Sequence, residues 1–211
     1  FEETLYFNFL NYPYVYNGGG VAVGDINNDG LEDVYFSSNQ GSNKLYLNKG
    51  DFEFSDITIS AKVEDAQGWT TGVSMIDINQ DGWLDIYVCK SGSMQDNNLR
   101  RNKLFINKHD GTFKESAKEY GLDSPAFSTQ AYYLDYDKDG DIDVFLVNHR
   151  ADFRNNTNIE ASIKNNIHPL MTDELFENIN GKFVNVTQKA KITNKAWGLS
   201  AAIGDFNDDG W

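Results

Sequence analysis

Asp25-Ile-Asn27-Asn-Asp29-Gly30-Leu31-Glu-Asp33 decides how this chain is read, because it returns three more times. The copies are Asp77-Ile-Asn79-Gln-Asp81-Gly82-Trp83-Leu-Asp85, Asp135-Tyr-Asp137-Lys-Asp139-Gly140-Asp141-Ile-Asp143 and Asp205-Phe-Asn207-Asp-Asp209-Gly210-Trp211, where the sequence given stops. Oxygen-bearing side chains stand at positions 1, 3, 5 and 9, with glycine at position 6. A hard cation asks for this set. Calcium takes six to eight oxygens at about 2.3–2.6 Å, and glycine permits the sharp turn that wraps them round the ion.

The EF-hand is the nearest confusable pattern, but its loop closes on a twelfth-position Glu and lies between helices. The twelfth positions here are Phe36, Val88 and Leu146. Position 9 leads instead into a short run of β-branched and aromatic residues, such as Ile86-Tyr87-Val88-Cys89, and a similar run precedes each loop. Runs of this length bounded by Gly, Asn and Asp predict strands. Each loop therefore joins two strands of a hairpin, with the ninth-position Asp as the closing carboxylate.

A second landmark organises the repeat. Asn43-Lys-Leu45-Tyr46-Leu47-Asn48, Asn102-Lys-Leu104-Phe105-Ile106-Asn107 and Asp173-Glu-Leu175-Phe176-Glu177-Asn178 each lead into a further apolar run. From Leu45, Leu104 and Leu175 to the next loop the spacing is 32, 31 and 30 residues, whereas from each loop to its own Leu it is 20, 27 and 40. Length variation thus falls between the second and third strands. Four short strands per unit of about 40–50 residues predict a blade of an all-β, four-stranded antiparallel β-propeller. The units run over 18–66, 67–124 and 125–194, after an N-terminal segment 1–17, and another begins at 195–211. About three blades are expected, so the chain reads as a partial propeller and a piece of a longer protein. Aromatics eight residues before the loops (Trp69, Phe127, Trp197) are expected in the core.

With 32 acidic and 18 basic residues the formal charge is −14. The loops hold much of this acidity, which argues against nucleic acid as a partner, since that wants a basic face. The single cysteine, Cys89, sits in a strand run and reads as a small buried apolar residue. No secretory or membrane-spanning segment is visible, and none is expected to insert this segment into a membrane. Open calcium loops of this kind work near millimolar calcium, which points to the cell surface, the periplasm or secretion.

In a meander the first and second inter-strand loops open at opposite ends. The insertions near 89–101 and 148–172 should then share the face away from the metal loops. They carry Arg100, Arg101, Arg150 and Arg154, with His149 and His168. Arginine suits bidentate recognition of carboxylates, sulfates or phosphates, so Arg100, Arg101, His149, Arg150 and Arg154 are the candidate ligand-binding residues; pairing with nearby acids to hold the loops down is the plainer alternative. Residues 159–167 show helical spacing. No nucleophile or phosphate-loop motif appears, and His149 with Asp152 is the one acid/base pair to consider. Asn155-Asn-Thr157 and Asn185-Val-Thr187 are glycosylation triplets if the host glycosylates.

The unit Val21-Ala-Val-Gly-Asp25 through Asp33-Val-Tyr resembles the FG-GAP/VCBS-type repeat of integrin-α-like propellers. The continuation Asn43 to Thr58 resembles more specifically the cartilage-acidic-protein/UnbV branch. The resemblance implies a seven- or eight-bladed propeller with calcium in the first inter-strand loop. By matching position it implies Asp25, Asn27, Asp29 and Asp33 as ligands with the Leu31 carbonyl, and Asp77, Asn79, Asp81 and Asp85 with that of Trp83. In the third loop it implies Asp135, Asp137, Asp139 and Asp143 with the Asp141 carbonyl, while Asp205, Asn207 and Asp209 begin a fourth. Function is then expected to be extracellular binding, adhesion or scaffolding of a protein or glycan, alone or as part of a larger surface assembly. The alternative is a polysaccharide-active lyase or hydrolase on the same scaffold.

Overall fold

Alternation of side chains along the strands fixes where the core lies. The computed structural model describes residues 8–10, 12–92, 96–151, 168–192, 194 and 198–207. The first sheet is a meander of β1 (Val21–Gly24), β2 (Asp33–Phe36), β3 (Lys44–Asn48) and β4 (Phe54–Asp56). The second runs β5 (Trp69–Ile76), β6 (Asp85–Ser91), β7 (Lys103–Asn107) and β8 (Phe113–Glu115). The third runs β9 (Ser128–Leu134), β10 (Asp143–Asn148), β11 (Glu174–Ile179) and β12 (Lys182–Asn185). A four-residue helix, α1 (Ala117–Tyr120), ends at Gly121 in the left-handed region. All neighbouring strands pair antiparallel. These are propeller blades: all-β, four-stranded and antiparallel, as the spacing predicts.

The middle blade is covered on both faces, so every residue of β6 is buried. Ile86 and Val88 pack with Ala22, Tyr35 and Leu45 of the first blade. The alternate residues Tyr87 and Cys89 pack with Ala131, Val144 and Leu146 of the third. A period of two thus lets one strand serve two cores. Burying each of the Val, Leu and Ile side chains among these is worth about 1.5–3 kcal/mol, so docking between blades stabilises both partners. Cys89 is a free, buried thiol.

Trp69 and Phe127 are buried, but in a third cluster rather than between the sheets. They meet Tyr12 and Val15 of the N-terminal segment, together with Ala151 and Met171. Trp197 lies outside the described residues, as does the helical spacing of 159–167. Residues 201–203, expected as a strand, are not one here; among the described residues no second strand pairs with them.

Blades are also tied by polar bonds near the start of each leading strand. Thr71 Oγ1 donates to the Ser128 carbonyl at 2.7 Å, and Thr129 Oγ1 to the Gly198 carbonyl at 3.3 Å. Gly19 holds the matching position in the first blade, where a Cβ would collide with the Ser37 carbonyl. There the Ser37 hydroxyl supplies the bond instead, to the Thr71 carbonyl at 2.6 Å.

Candidate metal centres and the long-loop face

The three complete loops fold alike because their first carboxylate gathers main-chain N–H groups. Asp29 and Gly30 donate to Asp25 at 3.1 and 2.7 Å. Asp81 and Gly82 donate to Asp77 at 2.9 and 2.8 Å, and Asp139 and Gly140 donate to Asp135, both at 3.1 Å. Each fifth-position carboxylate accepts from the seventh N–H: Leu31 to Asp29, Trp83 to Asp81 and Asp141 to Asp139, at 2.9, 3.0 and 2.9 Å. The Asn27 and Asn79 amides donate to Asp29 and Asp81, both at 2.9 Å. Gly30, Gly82 and Gly140 have φ of 84°, 87° and 93°, the left-handed region that the sixth-position glycine predicts.

A second left-handed residue stands in each loop, Asn28, Gln80 and Lys138 with φ of 58°, 56° and 62°, and at Gln80 and Lys138 the residue type gives no signal of it. The Asn28 amide reaches the Gly82 carbonyl of the next loop, and Gln80 reaches that of Gly140, both at 3.2 Å. Adjacent loops are therefore stitched together.

The ninth-position carboxylates are buried, with Asp33 and Asp85 at 0% and Asp143 at 1% exposure. Each spans from its own loop to the third strand. Asp33 accepts from Ile26 and Asn48 N–H at 3.0 and 2.8 Å, and Asp85 from Ile78 and Asn107 at 3.3 and 2.8 Å. Asp143 accepts from Tyr136 and Asn178 at 2.7 and 2.8 Å. Burial, reinforced by the neighbouring loop acids, raises all three above the usual carboxylate range, with Asp85 pushed up to about 7. Among the described residues no Lys, Arg or His pairs with any of them.

In the third loop the donor set fits a hard cation. Carboxylate oxygens of Asp135, Asp137 and Asp143 lie within 4.8 Å of one another, the span that bonds of about 2.3–2.6 Å to one ion would bridge. Asp205 accepts from Asn207 N–H at 3.3 Å, which begins a fourth copy, while Asp209 lies outside the described residues.

Sequence reading misses His109. Its Nε2 sits 3.1 Å from Asp81 Oδ2, and its ring stacks on Trp83 with centroids 4.8 Å apart. The signal is topological: in a four-stranded meander, the turn between strands three and four shares an end with the first loop.

The long-loop residues depart from expectation. In place of a solvent-facing cationic cluster, Arg100, His149 and Arg150 are buried. Arg100 lies over the Phe127 ring at 4.1 Å and donates to the Pro125 carbonyl at 3.0 Å and Asn97 Oδ1 at 2.5 Å. His149 sits among the Tyr12 hydroxyl at 3.0 Å, Ser91 Oγ at 3.1 Å and Thr129 Oγ1 at 3.1 Å. Burial lowers its pKa to about 3, so the imidazole is neutral at physiological pH. Arg101 is partly exposed and pairs with Asp123 at 2.8 Å. His168 is exposed, its ring accepting from Leu170 N–H at 3.3 Å. Arg154, Asp152 and Asn155 lie outside the described residues.

The family profile of the FG-GAP-like repeat matches residues 25–88 and 92–146, which takes in the three complete loops. The chain belongs to this FG-GAP-like repeat family. Among curated proteins, the FG-GAP-like chain is 33% identical over 138 residues to cartilage acidic protein 1 of Xenopus tropicalis, covering 63% of this chain and 20% of that protein. It is 27% identical over 202 residues to the Homo sapiens protein of the same name, covering 92% of this chain and 27% of that one. The chain thus spans about a quarter of the length of the human relative. Among the described residues no helix is long and apolar enough to cross a membrane.

Proposed function

We propose that this FG-GAP-like chain is a calcium-stapled binding or scaffold module that works outside the cell and recognises a protein or glycan through its long-loop face. The observation that carries the reading is an acidic loop folded the same way three times at one end of the blades, each closed by a buried carboxylate that no Lys, Arg or His pairs with among the described residues. The opposite end varies freely, with connections 37–43, 92–102 and 149–173 between second and third strands. Repetition at one end and divergence at the other suit a scaffold that holds specificity in its loops.

In this reading Asp25, Asn27, Asp29 and Asp33 with the Leu31 carbonyl hold one ion. Asp77, Asn79, Asp81 and Asp85 with the Trp83 carbonyl hold a second. Asp135, Asp137, Asp139 and Asp143 with the Asp141 carbonyl hold a third. Bound calcium supplies the positive charge that the buried carboxylates lack. The ninth Asp positions each loop by gripping both its second residue and the third strand. Cartilage acidic protein 1 as a relative fits an extracellular setting, as does the millimolar affinity of open loops.

The test immobilises the protein and screens panels of defined surface proteins and oligosaccharides in millimolar calcium. A version with loops 92–102 and 149–173 shortened runs beside it. Binding by the intact form that the shortened form loses is the expected outcome. Equal binding by both moves the contact to another surface.

A further inference from the structure

A cavity of about 290 Å³ opens where the leading strands of the three blades converge. Gly20, Gly72 and Gln130, all five residues before a metal loop, line it together with the 149–173 connection at His149. It therefore lies at the end of the strands away from the metal loops. Between Thr70 and Val73 the register of β5 against β6 shifts, and this bulge sets Thr71 and Gly72 on the cavity wall. Bulges of this kind recur beside binding sites because they re-aim the chain.

The wall carries no Asp, Glu, Lys or Arg among the described residues. Tyr14, Trp69 and Tyr132 bring aromatic rings to it. Three of its polar side chains keep hydrogen-bonding capacity. Gln130 donates its amide to Ser74 Oγ at 2.9 Å, while its Oε1 accepts nothing among the described residues. The Asn17 side chain and the Tyr132 hydroxyl likewise make no hydrogen bond among the described residues. His149 is neutral through burial.

Such a wall selects its ligand by exclusion and by fit. A charged group entering it would lose its water with no countercharge in return. A sugar ring offers an apolar C–H face to aromatic rings and a rim of hydroxyls that both donate and accept. The volume is at the small end of the roughly 300–1,000 Å³ typical of ligand pockets, which suits one ring rather than a partner's folded surface. We infer that this cavity binds a single neutral sugar residue, presented as the end or a branch of a glycan. The inference rests on the binding-module reading above and narrows it to one place and one chemistry.

The experiment is saturation-transfer NMR on the calcium-loaded chain with the methyl glycosides of glucose, galactose, mannose, xylose and N-acetylglucosamine. Methyl glucuronide is the anionic comparison. At least one neutral glycoside should receive saturation from aromatic protons, and Tyr132→Ala should weaken it at least tenfold. Gly18→Leu covers the case in which that variant does not fold. Gly18 lines the cavity and a Cβ there meets no atom within 4 Å, so the leucine should block the sugar and leave the melting temperature unchanged. The inference falls if no neutral glycoside responds, if the glucuronide binds best, or if folded Gly18→Leu binds as the parent does. Loop-dependent capture in the panel screen can stand in any of those cases, so the two readings fail separately.

Discussion

Stripping calcium should lower the melting temperature by roughly ten degrees, and the size follows from the number of cages. A ligand that binds only the folded state stabilises by RT ln(1 + [L]/Kd). At calcium tenfold above Kd this is about 1.4 kcal/mol per site, or about 4 kcal/mol for the three complete loops. In a domain of this size each kcal/mol moves the midpoint by about 2–4 °C, which gives roughly 8–16 °C. The assay is differential scanning calorimetry on protein stripped over a chelating resin, with and without millimolar calcium. Removing one cage with Asp77→Ala should shrink the gap between the two melts by about a third. Stripped and loaded proteins melting within about 2 °C of each other would refute the reasoning, because that leaves too little for even one site at tenfold excess.

Other expectations concern the metal-free protein and its core. Asp143→Ala leaves the Tyr136 and Asn178 N–H groups without their acceptor, a loss of about 2–5 kcal/mol in urea unfolding of stripped protein. Exposed Asp137→Ala should cost less than about 1 kcal/mol under the same conditions; equal costs would deny the ninth Asp its positioning role. Arg100→Ala removes a buried side chain packed on Phe127 and should cost about 2–4 kcal/mol by the same measurement. His149, held neutral in the fold with its pKa lowered to about 3, adds stability in full above about pH 6.5, where the unfolded chain is neutral too. That stability drains as pH falls from there toward 3, so His149→Gln should flatten the decline when circular dichroism tracks acid unfolding.

Legibility tracked the range of the interactions. Strands and loops were readable because their signals are local: alternation, bounding Gly and Asn, and a glycine where φ turns positive. The fourth loop position hid its left-handed backbone because Gln80 and Lys138 have no intrinsic liking for it; the hydrogen bonds of the cage impose it. Burial of His149 was invisible for the opposite reason. Its partner Tyr12 is 137 positions away, and charged or titratable residues in a long connection read as solvent-facing. They are covered by the segment around the 3₁₀ turn Pro13–Tyr16, which carries no repeat signal to announce where it docks. His109 escaped because only the meander, not local spacing, brings it beside Asp81.

Five of the bonds that stitch one blade to the next share an asymmetry. Thr71, Thr129 and Ser37 at one end, and Asn28 and Gln80 at the other, give a side-chain donor to a neighbour's main-chain carbonyl. Every residue owns a carbonyl, so the receiving blade needs no particular side chain at the joint. Only the donating blade must keep its residue. A duplicated or exchanged unit can therefore close these five bonds without a matched change in the unit it meets, and a lost donor can be replaced from elsewhere in the same blade, as Ser37 does beside Gly19. The joints that also pair two side chains, Thr70 with Asn43, Asn102 with Ser128 and Gln130 with Ser74, are the ones where both blades must change together.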